Sequence, residues 1–325
     1  MNYKDLVSDC IHCGACKENC EFLKKYDIIL SDTERLKELS YNCFLCGTCT
    51  RVCPVNIDGK ALVLQMRRDK VAENDGKIVD KGYFSTLKEK KNYLFKNYRH
   101  AIGKSALFTG CNFPSFYPET TVKLAEMMKE KAGIGIIFDC CGKPISELGL
   151  KKEEEKIADK INRKLEKEGI KELVMVCPNC YYFLTPRLHV SVVSIYEKLR
   201  ELGIGKAIET EGIDVFVPCP DKTSLSLLEH MKQFLPDKVN QIQGVQCCGL
   251  GGSAGVKEPE IAGKLPASVK ERNYSDIYSY CASCAGNLTR AGCNNVHHIL
   301  VDILETEEKP DTDKALFNRM KAKLY

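Results

Sequence analysis

Ile134-Gly135-Ile136-Ile137-Phe138-Asp139-Cys140-Cys141-Gly142 is the stretch whose reading decides the fold. A short apolar run that stops at a turn is the mark of a strand buried on both faces, as in a parallel sheet. Two adjacent cysteines then stand where the chain leaves the sheet. Outward from it the texture repeats. Upstream, Ser105-Ala106-Leu107-Phe108-Thr109 reads as a strand ending at Gly110-Cys111, and a helix over 120–131 follows with Val122, Leu124, Ala125 and Met128 on its apolar side. Downstream, a charged helix over 151–168 leads to the strand Leu173-Val174-Met175-Val176 and then to Cys177-Pro178-Asn179-Cys180.

The same order returns further on. Asp214-Val215-Phe216-Val217 ends at Pro218-Cys219, and a helix near 224–234 precedes the strand 242–246 and Cys247-Cys248-Gly249. A helix over 259–271 then leads to Ile277-Tyr278-Ser279-Tyr280 and Cys281-Ala282-Ser283-Cys284. An internal repeat of strand–cysteine units predicts two α/β half-domains with mainly parallel sheets. In such sheets ligands gather beyond the carboxyl ends of the strands, which is where the cysteines fall.

Upstream of this repeat the cysteines are spaced differently. Cys10, Cys13, Cys16, Cys20 and Cys43, Cys46, Cys49, Cys53 are two copies of C-x2-C-x2-C-x3-C. That spacing wraps three thiolates around one four-iron cubane and sends the fourth to a second cubane. One cubane is then held by Cys10, Cys13, Cys16 and Cys53, and the other by Cys43, Cys46, Cys49 and Cys20. Gly14 and Gly47 suit the tight loops. Pro54 follows the second run as usual, but Glu21 stands where the first would have proline. Four-cysteine zinc sites also use C-x2-C pairs; a third cysteine at x2 and a fourth at x3, done twice, argues against zinc. Segments 21–42 and 61–72 read as helical, with Ser31 and Asp32 as caps, so this part is expected to be an α-helical ferredoxin-type domain.

Eight of the nineteen cysteines lie in these runs, ten form two sets of five, and Cys293 is left over. The sets are Cys111, Cys140, Cys141, Cys177, Cys180 and Cys219, Cys247, Cys248, Cys281, Cys284. Neighbouring side chains diverge, so an adjacent pair suits two irons of a larger cluster better than one tetrahedral ion. Five thiolates exceed what a cubane needs, and a non-cubane cluster is the natural inference. Gly142 and Gly249 let the backbone approach it.

The segments Gly110-Cys111, Cys140-Cys141-Gly142-Lys143-Pro144, Cys177-Pro178-Asn179-Cys180, Pro218-Cys219, Cys247-Cys248-Gly249-Leu250-Gly251-Gly252 and Cys281-Ala282-Ser283-Cys284 resemble the CCG domain. That domain occurs in the B-type and D-type polypeptides of heterodisulfide reductase and in the iron–sulfur subunits of glycolate and glycerol-3-phosphate dehydrogenases. The resemblance covers nearly the whole chain and is nearest to the fused D-type polypeptide, in which a C-type ferredoxin module is joined to a B-type part. It implies two non-cubane four-iron clusters, one per five-cysteine set, facing a pocket where a disulfide is reduced. All ten cysteines would then be ligands at the active site. The intervals Cys111 to Cys140, Cys219 to Cys247 and Cys248 to Cys281 are shorter than the family's usual pattern.

The expected organisation is thus a ferredoxin-type domain over 1–72, a basic linker over 73–104, and CCG half-domains over 105–210 and 211–325. Disulfide reduction takes two electrons and two protons while clusters deliver electrons singly, and two clusters facing one pocket meet that mismatch. The leading expectation is an enzyme, a heterodisulfide-reductase-like oxidoreductase acting on a small disulfide or thiol, with a flavoprotein or ferredoxin as donor. The alternative is a non-catalytic electron-transfer subunit linking a flavoprotein dehydrogenase to a quinone or carrier.

The 325 residues are 44% hydrophobic with a net charge of +4, and no apolar run approaches a membrane span. The amino terminus lacks the build of a signal peptide, and dense cysteine without a secretory context means metal or redox chemistry; a cytoplasmic protein is expected. Residues 61–105 carry eleven Lys/Arg against five Asp/Glu. This basic stretch is read first as a solvated linker helix, with an acidic partner or peripheral membrane contact as the other reading; no recognition helix points to nucleic acid. Gly249-Leu250-Gly251-Gly252-Ser253-Ala254 formally matches a dinucleotide fingerprint, but a pyrophosphate there would face two thiolates, so a cluster loop is expected. His12 is read as a surface residue and His297–His298 as a structural pair; His189 and Lys143 are the candidate proton donors.

Overall fold

The computed structural model describes residues 3–325. Its residues pack into two compact units that alternate along the chain. One comprises the stretch up to Lys91 with Pro144–Glu154 and Gly244–Ser268, and the other comprises Asn92–Lys143, Glu155–Gln243 and Val269–Tyr325.

The second unit contains nine strands: β1 Asn97–His100, β2 Ser105–Phe108, β3 Gly135–Phe138, β4 Glu172–Met175, β5 Ser191–Ser194, β6 Ile213–Val215, β7 Val239–Gln241, β8 Ile277–Ser279 and β9 Val296–His298. They form a five-stranded sheet in the order β1-β3-β2-β4-β5 and a four-stranded sheet in the order β7-β6-β8-β9. All pairings are parallel except that of the edge strand β1 with β3. Leaving β1 aside, both sheets have the doubly wound order 2-1-3-4. In that order the chain direction switches between the first and third strands, β2/β4 in one sheet and β6/β8 in the other, which opens a crevice at their carboxyl ends.

The expected strands at 105–109, 134–139, 173–176 and 277–280 are present within a residue or two. The strand expected at 242–246 lies earlier, at β7, because Gly244 (φ +67°) turns the chain away from the sheet. Three strands were not anticipated. β5 (Ser-Val-Val-Ser) and β9 (Val-His-His) are too short and polar for their pattern to stand out, and β1 lies in the basic stretch read as a linker helix. Between 74 and 104 the helical part is Phe84–Lys90, and Tyr93 and Tyr98 are buried.

The helix Pro118–Ala132 buries Thr121, Leu124, Ala125 and Met128, each large apolar side chain contributing about 1.5–3 kcal/mol. It stops at Gly133 in the left-handed region. Val122, expected on its apolar side, is exposed.

In the first unit the elements up to Lys90 are short helices and 3-10 turns, with Gly59–Glu73 the longest. The helical reading of 21–42 resolves into Glu21–Lys25 and Thr33–Glu38, separated at Asp27 (φ +50°). There the Asp32 carboxylate accepts from the Ile29 N–H, a side-chain turn that competes with helix continuation. At the centre lies Arg67, fully buried, with its guanidinium donating to the carbonyls of Ser40, Cys43, Glu147 and Gly252. One charged side chain thereby ties together all three segments of this unit.

Candidate metal centre

The two four-cysteine runs fold alike. Gly14 (φ +76°) and Gly47 (φ +74°) each head a one-turn helix, Ala15–Glu18 and Thr48–Arg51, that carries the third cysteine. A left-handed residue at this point turns the loop back on itself, and glycine takes it without strain. Cys10, Cys13, Cys16 and Cys53 line a single cavity with Ile11, Leu30, Pro54 and Ile57. The Ile57 N–H donates to Cys53 Sγ at 3.3 Å. Cys13 is exposed, Cys10 and Cys53 are half-buried, and Ile11 beside them is 61% exposed.

Cys20, Cys46 and Cys49 are buried. Burial raises the pKa of Cys20 and Cys49, and takes Cys43 to about 11. Cys46 is held low, chiefly by a hydrogen bond from the Cys247 thiol, with Thr48 and Gln246 adding to it. Gln246 Nε2 lies 3.6 Å from both Cys20 Sγ and Cys46 Sγ. At Gly59, which opens the next helix, a Cβ would stand 2.6 Å from Cys49 Sγ.

The segment Gly244–Ser268 closes over this second loop. Cβ atoms at Gly251 and Gly252 would lie 2.3 Å from the Phe44 carbonyl oxygen and 2.5 Å from that of Cys43. The glycines of the apparent dinucleotide fingerprint are therefore needed for backbone contact with the Cys43–Phe44 turn. The Gly252 N–H in addition donates to Glu147 at 3.2 Å. The Gly249 N–H donates to Cys247 Sγ at 3.4 Å. Cys247 and Cys248 fold with this unit, whereas Cys219, Cys281 and Cys284 belong to the other.

In the second unit the cysteines collect at the switch points. Cys111 follows β2, Cys140 and Cys141 follow β3, and Cys177 follows β4, while Cys219 and Cys281 follow β6 and β8. Cys177 and Cys281 each precede the first turn of a helix, Pro178–Leu184 and Ala282–Arg290; backbone N–H groups there help to lower the pKa of Cys281, while the bond to Cys281 and burial push that of Cys177 up. Cys141 is drawn down to about 5 by hydrogen bonds from the Cys140 and Cys180 thiols. Cys281 is lowered by bonds from Cys177 and Cys284, and Asn179 Nδ2 lies 3.6 Å from its sulfur. The thiols at the two switch points thus meet at Cys177–Cys281. Asn112 Nδ2 donates to Ser283 Oγ at 2.6 Å across the same junction. Gly110 (φ +72°) leaves room beside this set: a Cβ there would lie 2.9 Å from Cys180 Sγ.

Among the described residues, no group of three or more His, Cys, Asp or Glu side chains is arranged to hold a single metal ion. The thiols instead line a cavity or cluster in larger groups, with backbone N–H donors aimed at sulfur and glycines where a Cβ would intrude. All-thiolate, glycine-lined sites with N–H···S bonds fit iron–sulfur clusters.

The remaining candidates have structural roles. His298 is buried between Phe113 and Tyr117 and accepts from the Leu300 N–H at the start of a helix. His297 stacks on Tyr278 and bonds Asp276. His189 is exposed just before β5, at the opposite end of the parallel sheet from the cysteines, so it is no proton donor there. Cys293 is buried, with its pKa raised by burial. Gln246, Arg67 and Thr48 were missed from sequence; the departure at Glu21 was the nearest signal.

Paired ferredoxin-type loops and cysteine-bearing α/β sheets in one chain define an iron–sulfur electron-transfer protein. Residues 6–57 match the 4Fe-4S dicluster domain, and 105–185 and 213–289 each match the cysteine-rich domain called CCG. The chain thus carries two CCG cysteine-rich domains and a 4Fe-4S dicluster domain. It is 24% identical to the B subunit of fumarate reductase (CoM/CoB) from Methanothermobacter marburgensis, an alignment covering 87% of this chain and 68% of that one. It is 26% identical to an uncharacterised iron–sulfur protein of Methanococcus maripaludis over 79% of this chain, which spans 58% of that relative's length. A crystal structure of a hypothetical protein from Helicobacter pylori shares the fold (TM-score 0.56, 10% identity, covering 90% of this chain and 67% of that one). Among the described residues no helix is long and apolar enough to cross a membrane.

Proposed function

We propose that the chain carries electrons from a partner protein through two four-iron cubanes to two non-cubane clusters, where a small disulfide or related thiol substrate is reduced. The cubanes are assigned to Cys10, Cys13, Cys16, Cys53 and to Cys43, Cys46, Cys49, Cys20. The non-cubane clusters are assigned to the sets beginning at Cys111 and Cys219. In domain terms, 1–72 is the electron-carrying module, joined by 73–104 to the CCG halves at 105–210 and 211–325.

The observation that carries this reading is the packing of Gln246, whose Nε2 lies 3.6 Å from Cys20 Sγ and from Cys46 Sγ. The next residue is Cys247, so one peptide unit links the second four-cysteine loop to an adjacent CCG pair. Electrons enter at the first loop, where exposed Cys13 and Ile11 leave an approach for a flavoprotein or ferredoxin. They leave the second loop through Cys46 toward Cys247. The bound clusters supply electrons one at a time; cleaving a disulfide consumes two electrons and two protons and yields two thiols. Asn112–Ser283 and Asn179–Cys281 hold Cys177 and Cys281 in register, so that two one-electron sites act on one bond. The kinship with a polypeptide named for fumarate reduction with CoM/CoB supports a redox role in a larger assembly.

Anaerobically prepared protein with all four groups should contain about 16 iron atoms. When reduced, it should release thiol from a small disulfide in step with reoxidation. An iron content near eight, or full loading with electron transfer to a carrier but no thiol released from any disulfide, would leave the chain an electron-transfer protein alone.

A further inference from the structure

Gln246 stands directly before Cys247, yet its side chain serves the second four-cysteine loop. Its Nε2 donates to Cys20 Sγ and Cys46 Sγ, both at 3.6 Å, and its backbone carbonyl accepts from Thr48 Oγ1 at 3.3 Å. Its Oε1 accepts from the Glu21 N–H at 2.8 Å. That last bond settles which way the amide faces. A backbone N–H only donates, so the carboxamide oxygen points to Glu21 and both N–H bonds are left for sulfur. Proline has no N–H and could not make this bond. The departure from the usual proline after the fourth cysteine thus has a use: residue 21 orients Gln246.

We propose that Gln246, held by the Glu21 N–H, sets the reduction potential of the cluster bound by Cys20, Cys43, Cys46 and Cys49. This rests on the assignment of those four cysteines to one cluster made above. One-electron reduction adds a single negative charge to the four-thiolate site, with no bond broken and no proton taken up. Three of the four cysteines are buried, and burial disfavours added charge. N–H bonds aimed at the sulfurs favour it and raise the potential. The amide supplies two such bonds, and the Leu45 N–H supplies a third, to Cys43 Sγ at 3.4 Å. The guanidinium of Arg67, 2.6 Å from the Cys43 carbonyl oxygen, acts in the same direction. At the other four-cysteine loop only Cys16 is buried, Cys10 and Cys53 are half-buried and Cys13 is exposed, and the Ile57 N–H bonds Cys53 Sγ.

The test uses the full chain, reduced stepwise with dithionite and followed by low-temperature EPR, with iron content measured alongside. Gln246→Leu removes both donors. Gln246→Glu keeps an acceptor for Glu21 but puts a carboxylate against the thiolates. Glu21→Pro removes the anchor together with the Glu21–Lys264 ion pair, and Glu21→Gln, which keeps the N–H, removes the ion pair alone. One cubane signal should fall in potential in the order wild type, Glu21→Pro, Gln246→Leu, Gln246→Glu, with the other signals unmoved and iron unchanged. An unchanged potential in the Leu and Glu variants overturns the proposal, as does a shift shared by every signal. Joint loss of about four irons in those variants makes Gln246 a structural residue and also overturns it. A wild-type protein lacking the second cubane signal would instead sink the ligand assignment beneath it.

Discussion

Replacing Arg67 with methionine should unfold the cysteine-bearing core of the first unit. The guanidinium is wholly buried and makes hydrogen bonds of 3.0, 2.6, 2.8 and 2.6 Å to the carbonyls of Ser40, Glu147, Gly252 and Cys43. Tyr41 covers it, 5.0 Å from its ring centroid. Methionine fills much of the volume but donates to none of the four oxygens. Hydrogen bonds to a charged group contribute about 1.5–3 kcal/mol each, and a buried acceptor left unpaired costs about 1–3 kcal/mol. Four such bonds nominally total about 6–12 kcal/mol. They share one donor group and their effects are not additive, so the expected loss is about 4–6 kcal/mol. That is comparable to the whole stability of many domains, about 5–15 kcal/mol. Arg67→Lys keeps the charge but offers a compact ammonium in place of a planar fork, and an intermediate loss of about 2–3 kcal/mol is expected. The assay is anaerobic urea unfolding followed by circular dichroism, with iron content measured on the same samples. Arg67→Met protein that retains all its iron and unfolds within about 1 kcal/mol of wild type would refute the reasoning.

Gly59→Ala should disturb the second loop most, because its Cβ would lie 2.6 Å from Cys49 Sγ; at 2.7 Å it also meets Leu30 Cδ2, which lines the cavity of the first loop. The EPR signal of one cubane should weaken or shift. Gly263→Ala, where a Cβ meets nothing within 4 Å, should leave the spectrum unchanged and raise stability by up to about 1 kcal/mol; similar spectra for the two variants would discount the contact. His298 is buried and its pKa is lowered to about 4, chiefly by desolvation. Its folded pKa lies below the unfolded value near 6.5, so the unfolded chain binds the extra proton and stability falls as pH drops through that interval. The contribution lost between pH 7 and 5 is about 2 kcal/mol. His298→Asn keeps a capping acceptor and should flatten the urea midpoint over this range; parallel pH profiles for the two proteins would count against the assignment.

Much of the α/β frame could be read in advance because its strands are short apolar runs that stop at glycine or cysteine. Ser105–Phe108, Gly135–Phe138 and Glu172–Met175 are of this kind. β5 and β9 escaped because Ser-Val-Val-Ser and Val-His-His owe their strand state to parallel neighbours, β4 and β8, and hardly at all to their own pattern. The dinucleotide-like glycines are discounted in the sequence on electrostatic grounds. Their actual use, letting backbone meet backbone at Cys43 and Phe44, depends on a partner about two hundred residues away in the chain and has no local mark. The Glu21 departure was visible as an anomaly, but its meaning waited on the position of Gln246.

By itself the sequence determined which three cysteines of each run one loop can gather. C-x2-C-x2-C-x3-C is a chain-local constraint: a few bonds of backbone decide which thiolates can reach a common point. Strand-end cysteines follow in the same way from the period and length of the apolar runs before them. Tertiary structure alone decided what surrounds those thiols. Gln246 against Cys20 and Cys46, Arg67 at the Cys43 carbonyl and Cys247 beside Cys46 all join residues from distant parts of the chain. Donor distance and burial, the quantities that tune a thiolate site, exist only once those segments have packed together.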